Sequence, residues 1–432
     1  MNSILICSTP VHGHVTPLLA VSRHLARQGH RVRFLTGHRY ADAVRATGAE
    51  FLPLPAEADY DDRDMNASFP GRVGKSGVAG IRWDVGNIFL NPAPAQIRAV
   101  DEAIAREPVD AILIENMFIG AVGLLARPRA ERPAILSLGI IPLGVESVDT
   151  APFGLGGLPR PGALGRMRNA ALGVLTKKVI FGGVQRQAEK IMLDATGTKL
   201  DGFFMTGASR ADAIVQFTVP GFEYPRSDLP KTVHFVGPMS RVTRSDAEVP
   251  EWWSELDGSR PVVHVSQGTI ANADYDELIA PTMAALAADD VLVVVSTGGR
   301  ALSTLPSPLP ANVRAAEYLP FDRLLPLTDV YVSNGGYGGV HYALEHGVPL
   351  VVAGMTEDKA EVTARVQWSG VGVNLRTNRP TPEAVGAAVR RVLADPGYAA
   401  RSRALGEDIA ASSGLAGLDA VLRGLTSQPV SE

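Results

Sequence analysis

Residues 4–35 read ILICSTPVHGHVTPLLAVSRHLARQGHRVRFL, and this stretch decides the fold. Ile4–Cys7 is a short apolar run, typical of a strand that is buried on both faces. The spacing then predicts a helix, with Pro17 near its start and Gly29 directly after its end. Residues 32–35 form the next apolar run. A strand, a helix and a second strand in this order indicate a βαβ unit of a parallel sheet.

The same alternation continues along the chain in two series of strands, one before residue 236 and one after residue 260. The stretch between them is polar and contains proline and acidic residues, as expected of a linker. We therefore predict an α/β fold of two doubly wound domains, residues 1–235 and 261–400, joined by residues 236–260. Residues 401–432 are predicted to form a C-terminal helix that packs back across the N-terminal domain.

The composition excludes several classes of protein. The chain has 432 residues, 41 Lys and Arg against 45 Asp and Glu, and a single cysteine, Cys7. A net charge of −4 gives no basic face for nucleic acid. One cysteine allows neither an internal disulfide nor a zinc finger. The N-terminus lacks a signal-peptide pattern, and no apolar run is long enough to span a membrane, so we expect a cytoplasmic protein without stable membrane insertion.

Two segments, residues 57–94 and 142–183, interrupt the alternation. Residues 152–165 hold eight glycines or prolines. Long segments of this kind in a compact protein are often functional or mobile. Three interpretations are open: a flexible wall around a bulky apolar ligand, a membrane-surface patch, or a solvated surface excursion.

Common nucleotide-binding motifs are absent. Residues 74–76 read GKS, but a P-loop also needs a glycine at position 69, which is Phe69. No G-x-G-x-x-G follows the first strand, so the dinucleotide fingerprint is missing as well. The carboxylates of residues 57–64 are typical of a solvated acidic loop, and we expect no metal site.

A histidine pair, His12 and His14, lies in the predicted loop after the first strand. Functional groups of open parallel sheets collect at the carboxyl ends of the strands. A neutral imidazole at this edge could take a proton from a hydroxyl group. A surface or capping histidine is the alternative interpretation.

Three further loops follow strands of the second series. Residues 334–339 (NGGYGG) precede a helix predicted to begin near Val340, and glycines next to a helix N-terminus make a diphosphate cradle without a metal. Residues 267–269 add a hydroxyl and free amides, and residues 357–359 add carboxylates that accept bonds from sugar hydroxyls. Because all three end strands of one sheet, we expect them to converge on one ligand.

Together these motifs resemble the UDP-sugar-dependent glycosyltransferases of the GT-B fold, the family that includes macrolide and other antibiotic glycosyltransferases and UDP-glucosyl and UDP-glucuronosyl enzymes. The resemblance covers nearly the whole chain. It rests on residues 13–19 (GHVTPLL), 235–238 (FVGP), 265–269 (VSQGT) and 318–359. It implies two Rossmann-like domains facing a central cleft, a nucleotide-sugar donor, no cofactor, and His14 as the catalytic base.

The resemblance also implies a donor site with several departures from the family pattern. Tyr318 stands where a tryptophan usually stacks on uracil, Asn334 where a histidine touches the diphosphate, and Tyr342 where a glutamate often binds the ribose. Lys359 replaces the glutamine that usually follows the sugar-binding Asp358. The implied nucleotide-sugar-binding residues are Gly13, Gly268, Thr269, Tyr318, Leu319, Asn334, Gly336, Tyr337, Gly338, Gly339, Asp358 and Lys359.

The resemblance does not determine which residue orients His14. The aspartate that often orients this histidine falls at Asn116, beside Glu115. Three arrangements are open: Asn116 holds the imidazole, Glu115 holds it, or a bound water does. A neutral partner would stabilise the imidazolium less in the transition state.

We therefore predict an inverting, metal-independent transfer of a hexose from a UDP-type sugar to a hydroxyl of a bulky hydrophobic acceptor, such as a polyketide or macrolide. The alternatives are a nucleotide-sugar epimerase and a catalytically inactive auxiliary protein. The predicted partners are the donor and a small hydrophobic acceptor.

Overall fold

The computed structural model describes residues 1–75, 77–239, 248–269, 272 and 274–427. The strands of its first sheet are β1 (Ser3–Cys7), β2 (Arg31–Thr36), β3 (Glu50–Pro53), β4 (Ala111–Glu115), β5 (Ala134–Gly139), β6 (Ala213–Gln216) and β7 (Val233–Phe235). They pair in parallel in the order β3-β2-β1-β4-β5-β6-β7. The strand order reverses between β1 and β4, so their carboxyl ends flank a crevice.

A second parallel sheet repeats this design. Its strands are β8 (Val262–Ser266), β9 (Leu292–Ser296), β10 (Val313–Ala316), β11 (Val330–Ser333), β12 (Leu350–Val352) and β13 (Gly372–Asn374). They pair in the order β10-β9-β8-β11-β12-β13, and here the order reverses between β8 and β11. Two doubly wound α/β domains are confirmed.

Helices cover both faces of each sheet and connect its strands. They are α1 (His12–Arg27), α2 (Ala41–Arg45), α3 (Met65–Ser68), α4 (Gly77–Asp84), α5 (Ala93–Arg106), α6 (Gly162–Val174), α7 (Gly182–Thr196), α8 (Ile279–Leu286), α9 (Phe321–Leu324), α10 (Tyr337–Glu345), α11 (Lys359–Ser369), α12 (Pro382–Ala394), α13 (Pro396–Ala411) and α14 (Gly414–Thr426). The central strands β4, β8 and β9 are buried along their whole length, as apolar runs between two helix layers require.

Two helices begin earlier than predicted, which moves site residues from loops into first turns. The amides of His14 and Val15 donate to the Val11 carbonyl, so α1 already starts at His12. Pro17 then lies inside the helix, where it removes only the bond to the Gly13 carbonyl. Likewise α10 starts at Tyr337 instead of near Val340.

The two segments that interrupt the alternation are more helical than predicted. The first contains α3 and α4, and α4 continues as a π-helical turn over Val85–Leu90. The second contains α6, which continues as a π-helical turn over Leu175–Ile180. Glycine and proline content hid these helices, because both residues disfavour helix interiors in isolation.

The connection between the domains is shorter than predicted. Residues 240–247 of the predicted linker lie outside the described residues. Glu251–Glu255 forms a 3₁₀ turn whose Trp252 and Trp253 pack with Leu256 against the second sheet. The end of the predicted linker therefore belongs to the second domain.

The chain crosses back to the first domain at its C-terminal end. The predicted single helix is two: α13 packs on the second domain, and α14 follows after a short turn. Leu418 and Leu422 of α14 are buried in the core of the first domain, and the helix packs on strands β5 and β6.

Candidate active site

An ion pair lies at the crevice of the first sheet, between β1 and β4. Glu115 is the last residue of β4, and His14 lies in the first turn of α1, which follows β1. The His14 Nδ1 atom lies 2.9 Å from the Glu115 Oε2 atom. The Glu115 side chain is fully buried, whereas 15% of the His14 side chain is exposed. The exposed edge gives a ligand access to the imidazole.

The Glu115 carboxylate is fixed by backbone and side-chain donors. Its Oε1 atom accepts hydrogen bonds from the Thr9 hydroxyl (2.8 Å) and the Thr9 amide (3.2 Å). Its Oε2 atom accepts one from the Met117 amide. Burial alone would raise the pKa of Glu115, but the His14 charge and these bonds outweigh it and lower the pKa. Glu115 therefore stays ionised at neutral pH.

The environment of His14 suits a base. Burial lowers its pKa, but the charge and hydrogen bond of Glu115 outweigh burial, and the carboxylates of Asp358 and Glu357 add to the rise, so the net pKa is raised. Glu115 holds the proton of neutral His14 on Nδ1, which leaves Nε2 as the acceptor. The Phe89 ring stacks on the imidazole with ring centroids 6.1 Å apart.

Asn116 does not contact His14. Its Oδ1 atom accepts a hydrogen bond from the Ile140 amide at 3.2 Å, so it joins the loops after β4 and β5. Side chains of consecutive residues point to opposite sides of an extended chain, so only one of the pair Glu115 and Asn116 can reach α1. Of the three arrangements left open by the sequence, the geometry shows Glu115.

The three predicted loops of the second domain do come together. The Asn334 side-chain amide donates to the Gln267 carbonyl, which joins the loops after β11 and β8. A Cβ atom at Gly354 would lie 2.1 Å from the Asn334 carbonyl oxygen, so the loop after β12 packs on the same point. Gly335 has φ +83°, and a Cβ there would lie 2.6 Å from Thr363 of α11. Only glycine fits this turn.

The N-terminus of α10 completes this arrangement. Gly336 is its extended N-cap residue, and Tyr337, Gly338 and Gly339 form its first turn. The first amides of a helix have no partner within the helix and carry its positive dipole end. Thr269, on the neighbouring loop, is exposed. Free amides, an amide side chain and a hydroxyl at one crevice can bind an anion.

One loop of the second domain was not predicted from the sequence to belong to the site. Residues 297–300 (TGGR) follow β9. A Cβ at Gly298 would lie 2.1 Å from the Gly268 carbonyl oxygen, and one at Gly299 would lie 2.2 Å from the Tyr318 hydroxyl. The available signal was a glycine pair directly after a buried strand, the same signal as in residues 334–339.

The aromatic and apolar residues predicted for the donor site have different positions. Tyr318 lies over Gly299, and 64% of it is exposed, so its ring is available for stacking. The Leu319 side chain is buried in the core of the second domain. Tyr337 is also buried, and its hydroxyl accepts a hydrogen bond from Gln216 of the first domain at 3.1 Å. Neither of these two buried side chains lies in the cradle.

A charged cluster lies at the start of α11. Lys359 is buried, and its ammonium group donates to Glu357. Burial raises the pKa of Asp358 to about 6, partly offset by the Lys359 charge. Asp358 is half-buried, and although its backbone carbonyl accepts from the amides of Glu361 and Val362, its carboxylate accepts no hydrogen bond from another described residue and is available to a ligand. Gly13, the residue before His14, lies in the first turn of α1.

Comparisons with known proteins agree with this architecture of two domains around a cleft. A family model described as "Glycosyltransferase family 28 N-terminal domain" matches residues 11–133. A second, described as "Erythromycin biosynthesis protein CIII-like, C-terminal domain", matches residues 280–416. Among solved structures, the glycotransferase of kitacinnamycin has a TM-score of 0.74 at 22% identity, covering 98% of both chains. A calicheamicin glycosyltransferase has a TM-score of 0.73 at 22% identity, covering 99% of both.

Sequence relatives identify the family. The 4'-demethylrebeccamycin synthase of Lentzea aerocolonigenes is 39% identical over 98% of this chain and 99% of its own. UDP-glycosyltransferase 2 of Phaeomoniella chlamydospora is 33% identical over 95% and 93%, respectively. UDP-glucosyltransferase B1 of Starmerella bombicola is 31% identical over 98% of each chain. The chain belongs to the UDP-sugar-dependent glycosyltransferases of the GT-B fold, and it is an enzyme of the antibiotic and natural-product type.

The described residues contain neither a membrane-spanning helix nor a cluster of metal ligands. No helix in this part of the chain combines the length and hydropathy that a bilayer crossing needs. Within the same residues, no group of three or more His, Cys, Asp or Glu side chains is arranged to hold a metal ion. Asp59 and Asp61 instead pair with His38 and Arg63.

Proposed function

We propose that this enzyme is an inverting, metal-independent glycosyltransferase that moves a hexose from a UDP-type sugar to a hydroxyl of a bulky apolar acceptor. The observation that carries the proposal is the His14–Glu115 pair at one side of the cleft. The carboxylate of Asp358, in the other domain, is close enough to raise the pKa of His14. A base and a sugar-binding carboxylate within electrostatic reach of each other suit direct transfer.

In this proposal His14 is the general base. Nε2 takes the proton of the acceptor hydroxyl while its oxygen bonds to the anomeric carbon and the bond to UDP breaks. Proton transfer is concerted, because an alcohol is far too weak an acid to ionise beforehand. A single displacement inverts the anomeric configuration. Glu115 stabilises the imidazolium that forms, as an ionised carboxylate does in the serine-protease triad.

The leaving diphosphate is stabilised by the second domain. The amides of Gly336–Gly339, the Asn334 amide group and the Thr269 hydroxyl donate to its developing charge. Asp358 accepts bonds from sugar hydroxyls, and Tyr318 stacks on the nucleobase. We expect that a chelator such as EDTA leaves the rate unchanged, because protein dipoles replace a metal ion in this role.

The acceptor is inferred from apolar surface and from relatives. Residues of α6 and the turn after it expose large apolar side chains, among them Leu164 (81%), Met167 (68%) and Val179 (65%). Exposed apolar patches commonly mark binding sites. A relative named 4'-demethylrebeccamycin synthase supports a natural-product acceptor, and those named UDP-glucosyltransferases support a glucose donor.

A panel assay tests the proposal. The full chain is incubated with UDP-glucose and related UDP-sugars and a mixture of polyketide, macrolide and flat aromatic acceptors. Mass spectrometry detects a hexose gain on an acceptor together with UDP release, and NMR of the anomeric proton gives the configuration. Retention of configuration, or a rate abolished by EDTA, would contradict the mechanism. Interconversion of UDP-sugars without acceptor would indicate an epimerase, and no turnover despite UDP binding would indicate an inactive auxiliary protein.

A further inference from the structure

A cavity of about 510 Å³ lies between the two domains and is separate from the residues assigned above. Residues of the glycine- and proline-rich segment 155–160 form one wall, and residues 355–376 of the second domain form the other. Met355 and Ala360 of its lining flank Asp358 in the sequence. Its volume falls within the usual range for small-molecule sites.

The charged residues that line this cavity are three arginines, Arg160, Arg168 and Arg376, without any carboxylate. Arg168 donates to neutral acceptors, the Leu158 carbonyl (3.0 Å) and the Asn169 amide oxygen (2.8 Å). Arg376 donates to the Gln367 amide oxygen at 3.1 Å. Arg160 makes no hydrogen bond or ion pair to any described residue. Three positive charges therefore share one cavity without a negative partner.

The two arginines of the first domain are close enough to repel each other. Burial lowers the pKa of Arg168, and the charge of Arg160 lowers it further. Like charges at close range destabilise each other, and an anion between them removes that cost. A planar guanidinium is well suited to bind a carboxylate or another oxyanion through two parallel hydrogen bonds.

The rest of the lining is largely apolar. Leu155, Pro159 and Met355 line the same cavity, so the bound anion has to be carried on an apolar body. A free inorganic ion would leave these apolar side chains exposed to water. Specific sites for organic ligands commonly combine an apolar lining with a few placed polar groups.

The wall that carries Arg160 is fixed to the second domain. The Glu361 Oε1 atom accepts hydrogen bonds from the amides of Gly154 (2.8 Å) and Gly156 (2.9 Å). Its Oε2 atom lies 2.8 Å from Arg365, which is paired with Glu223 of the first domain. The side chains of Glu223, Glu361 and Arg365 are buried, and they come from both domains. The cavity is therefore shaped before a ligand binds, which reduces the cost of binding.

We propose that this cavity is an acceptor subsite for an oxyanion, a carboxylate in the first instance, carried on an apolar molecule. The inference rests on the proposed function, because it takes the occupant to be the acceptor. Two of the three arginines and most of the apolar lining come from the first domain, which favours the acceptor over the donor. A uronosyl donor carries the same carboxylate chemistry, and the turnover experiment below separates the two sources.

A binding experiment tests the subsite independently of turnover. The probes are two fluorescent molecules, anilinonaphthalene sulfonate and phenylnaphthylamine. They share the same ring skeleton, and only the first carries a sulfonate group. We expect Arg160→Gln to weaken sulfonate binding about 10-fold, as loss of one bond to a charged group does, and to leave the neutral probe unaffected. Arg168→Gln serves as a second variant. Arg23→Gln, an exposed arginine of α1, is the matched control and should change neither affinity.

Three binding results would overturn the assignment. In the first, sulfonate affinity is unchanged in both cavity variants. In the second, the neutral probe loses affinity equally, which would mean that shape and not charge was altered. In the third, saturating UDP displaces the sulfonate probe, which would place the anion in the diphosphate cradle.

Turnover identifies the source of the anion. Hydroxylated aromatic acids and their methyl esters are compared as acceptors, with UDP-glucose and UDP-glucuronate as donors. We expect a higher kcat/KM for the acids than for the esters, and loss of that preference in Arg160→Gln. Arginine dependence on UDP-glucuronate in place of the acids would overturn the acceptor assignment. If neither acids nor esters react while sulfonate binding still depends on Arg160, the proposed transfer reaction fails and the anion site remains.

Discussion

The two domains have the same strand order. They differ in the residues that lie at the point where this order reverses. Between β1 and β4 the first domain holds His14 and Glu115, two titratable groups paired at 2.9 Å. Between β8 and β11 the second domain holds Gly268 and the Asn334–Gly339 segment, which offer backbone amides and no titratable side chain other than a buried Tyr337. The same architecture thus places a pair of titratable side chains on one side and backbone dipoles on the other. The fold sets the location, and local sequence sets the chemistry.

The largest expected effect removes the proton acceptor of the first domain. His14→Ala should lower kcat by at least about 100-fold, the lower end of what a general base contributes. UDP affinity, measured by calorimetry, should not change, because the nucleotide site that we propose lies in the second domain. His12→Ala is the matched control, since its imidazole contacts Thr16 and not Glu115. Near-normal turnover in His14→Ala would contradict the proposal that the first domain supplies the proton acceptor.

A smaller effect is expected when the charge behind the base is removed. Glu115→Gln should lower kcat at least about 10-fold, because a neutral partner stabilises the imidazolium less. Glu115 raises the pKa of His14, and the general base that we propose acts in its neutral form. The rate of the unmodified enzyme therefore rises with pH as His14 deprotonates, and in Glu115→Gln this rise should move to lower pH. A drop in kcat with an unmoved pH profile would contradict a charge effect.

The Asp358 carboxylate of the second domain, which we propose binds the sugar, gives the next test. Asp358→Asn should raise the KM for the UDP-sugar about 10-fold, the value of a hydrogen bond to a charged group, without changing UDP affinity. The pKa of Asp358 is raised to about 6, so the KM of the unmodified enzyme should rise as the pH falls through 6. Asp358→Asn should lose that pH dependence. Equal losses of UDP and UDP-sugar affinity would mean that Asp358 acts on the cradle instead.

The smallest effect concerns nucleobase stacking. Tyr318→Ala should weaken UDP binding by about 5- to 10-fold, near the low end of what stacking on an aromatic ring contributes. Tyr318→Phe keeps the ring and should bind UDP normally, which makes it the matched control. Turnover at saturating donor should not change in either variant. If Tyr318→Phe is as weak as Tyr318→Ala, the hydroxyl near Gly299 matters and stacking does not.

Most of the fold could be predicted from the sequence because apolar runs and helical periodicity are local. The His14 loop and the glycine-rich loops could also be found, since residues after strands of one parallel sheet share an edge. The choice between Glu115 and Asn116 could not be made, because it depends on which side of an extended chain each side chain occupies. The contacts of Glu361 with Gly154 and Gly156 could not be found either, since they join residues some 200 positions apart. The early start of α1 was hidden by Pro17, which is tolerated inside the helix.

The return of α14 to the first domain has a consequence for protein engineering. Its Leu418 and Leu422 fill the core of the first domain, the helix packs on β5 and β6, and Asp419 pairs with His24 at 2.9 Å. A hybrid enzyme made by cutting the gene once, between the two sheets, would place these side chains against a foreign surface. A working exchange of the first domain needs two junctions, so that the α14 segment is transferred together with residues 1–235. The first domain is therefore one unit in space, although its residues come from two separate parts of the chain.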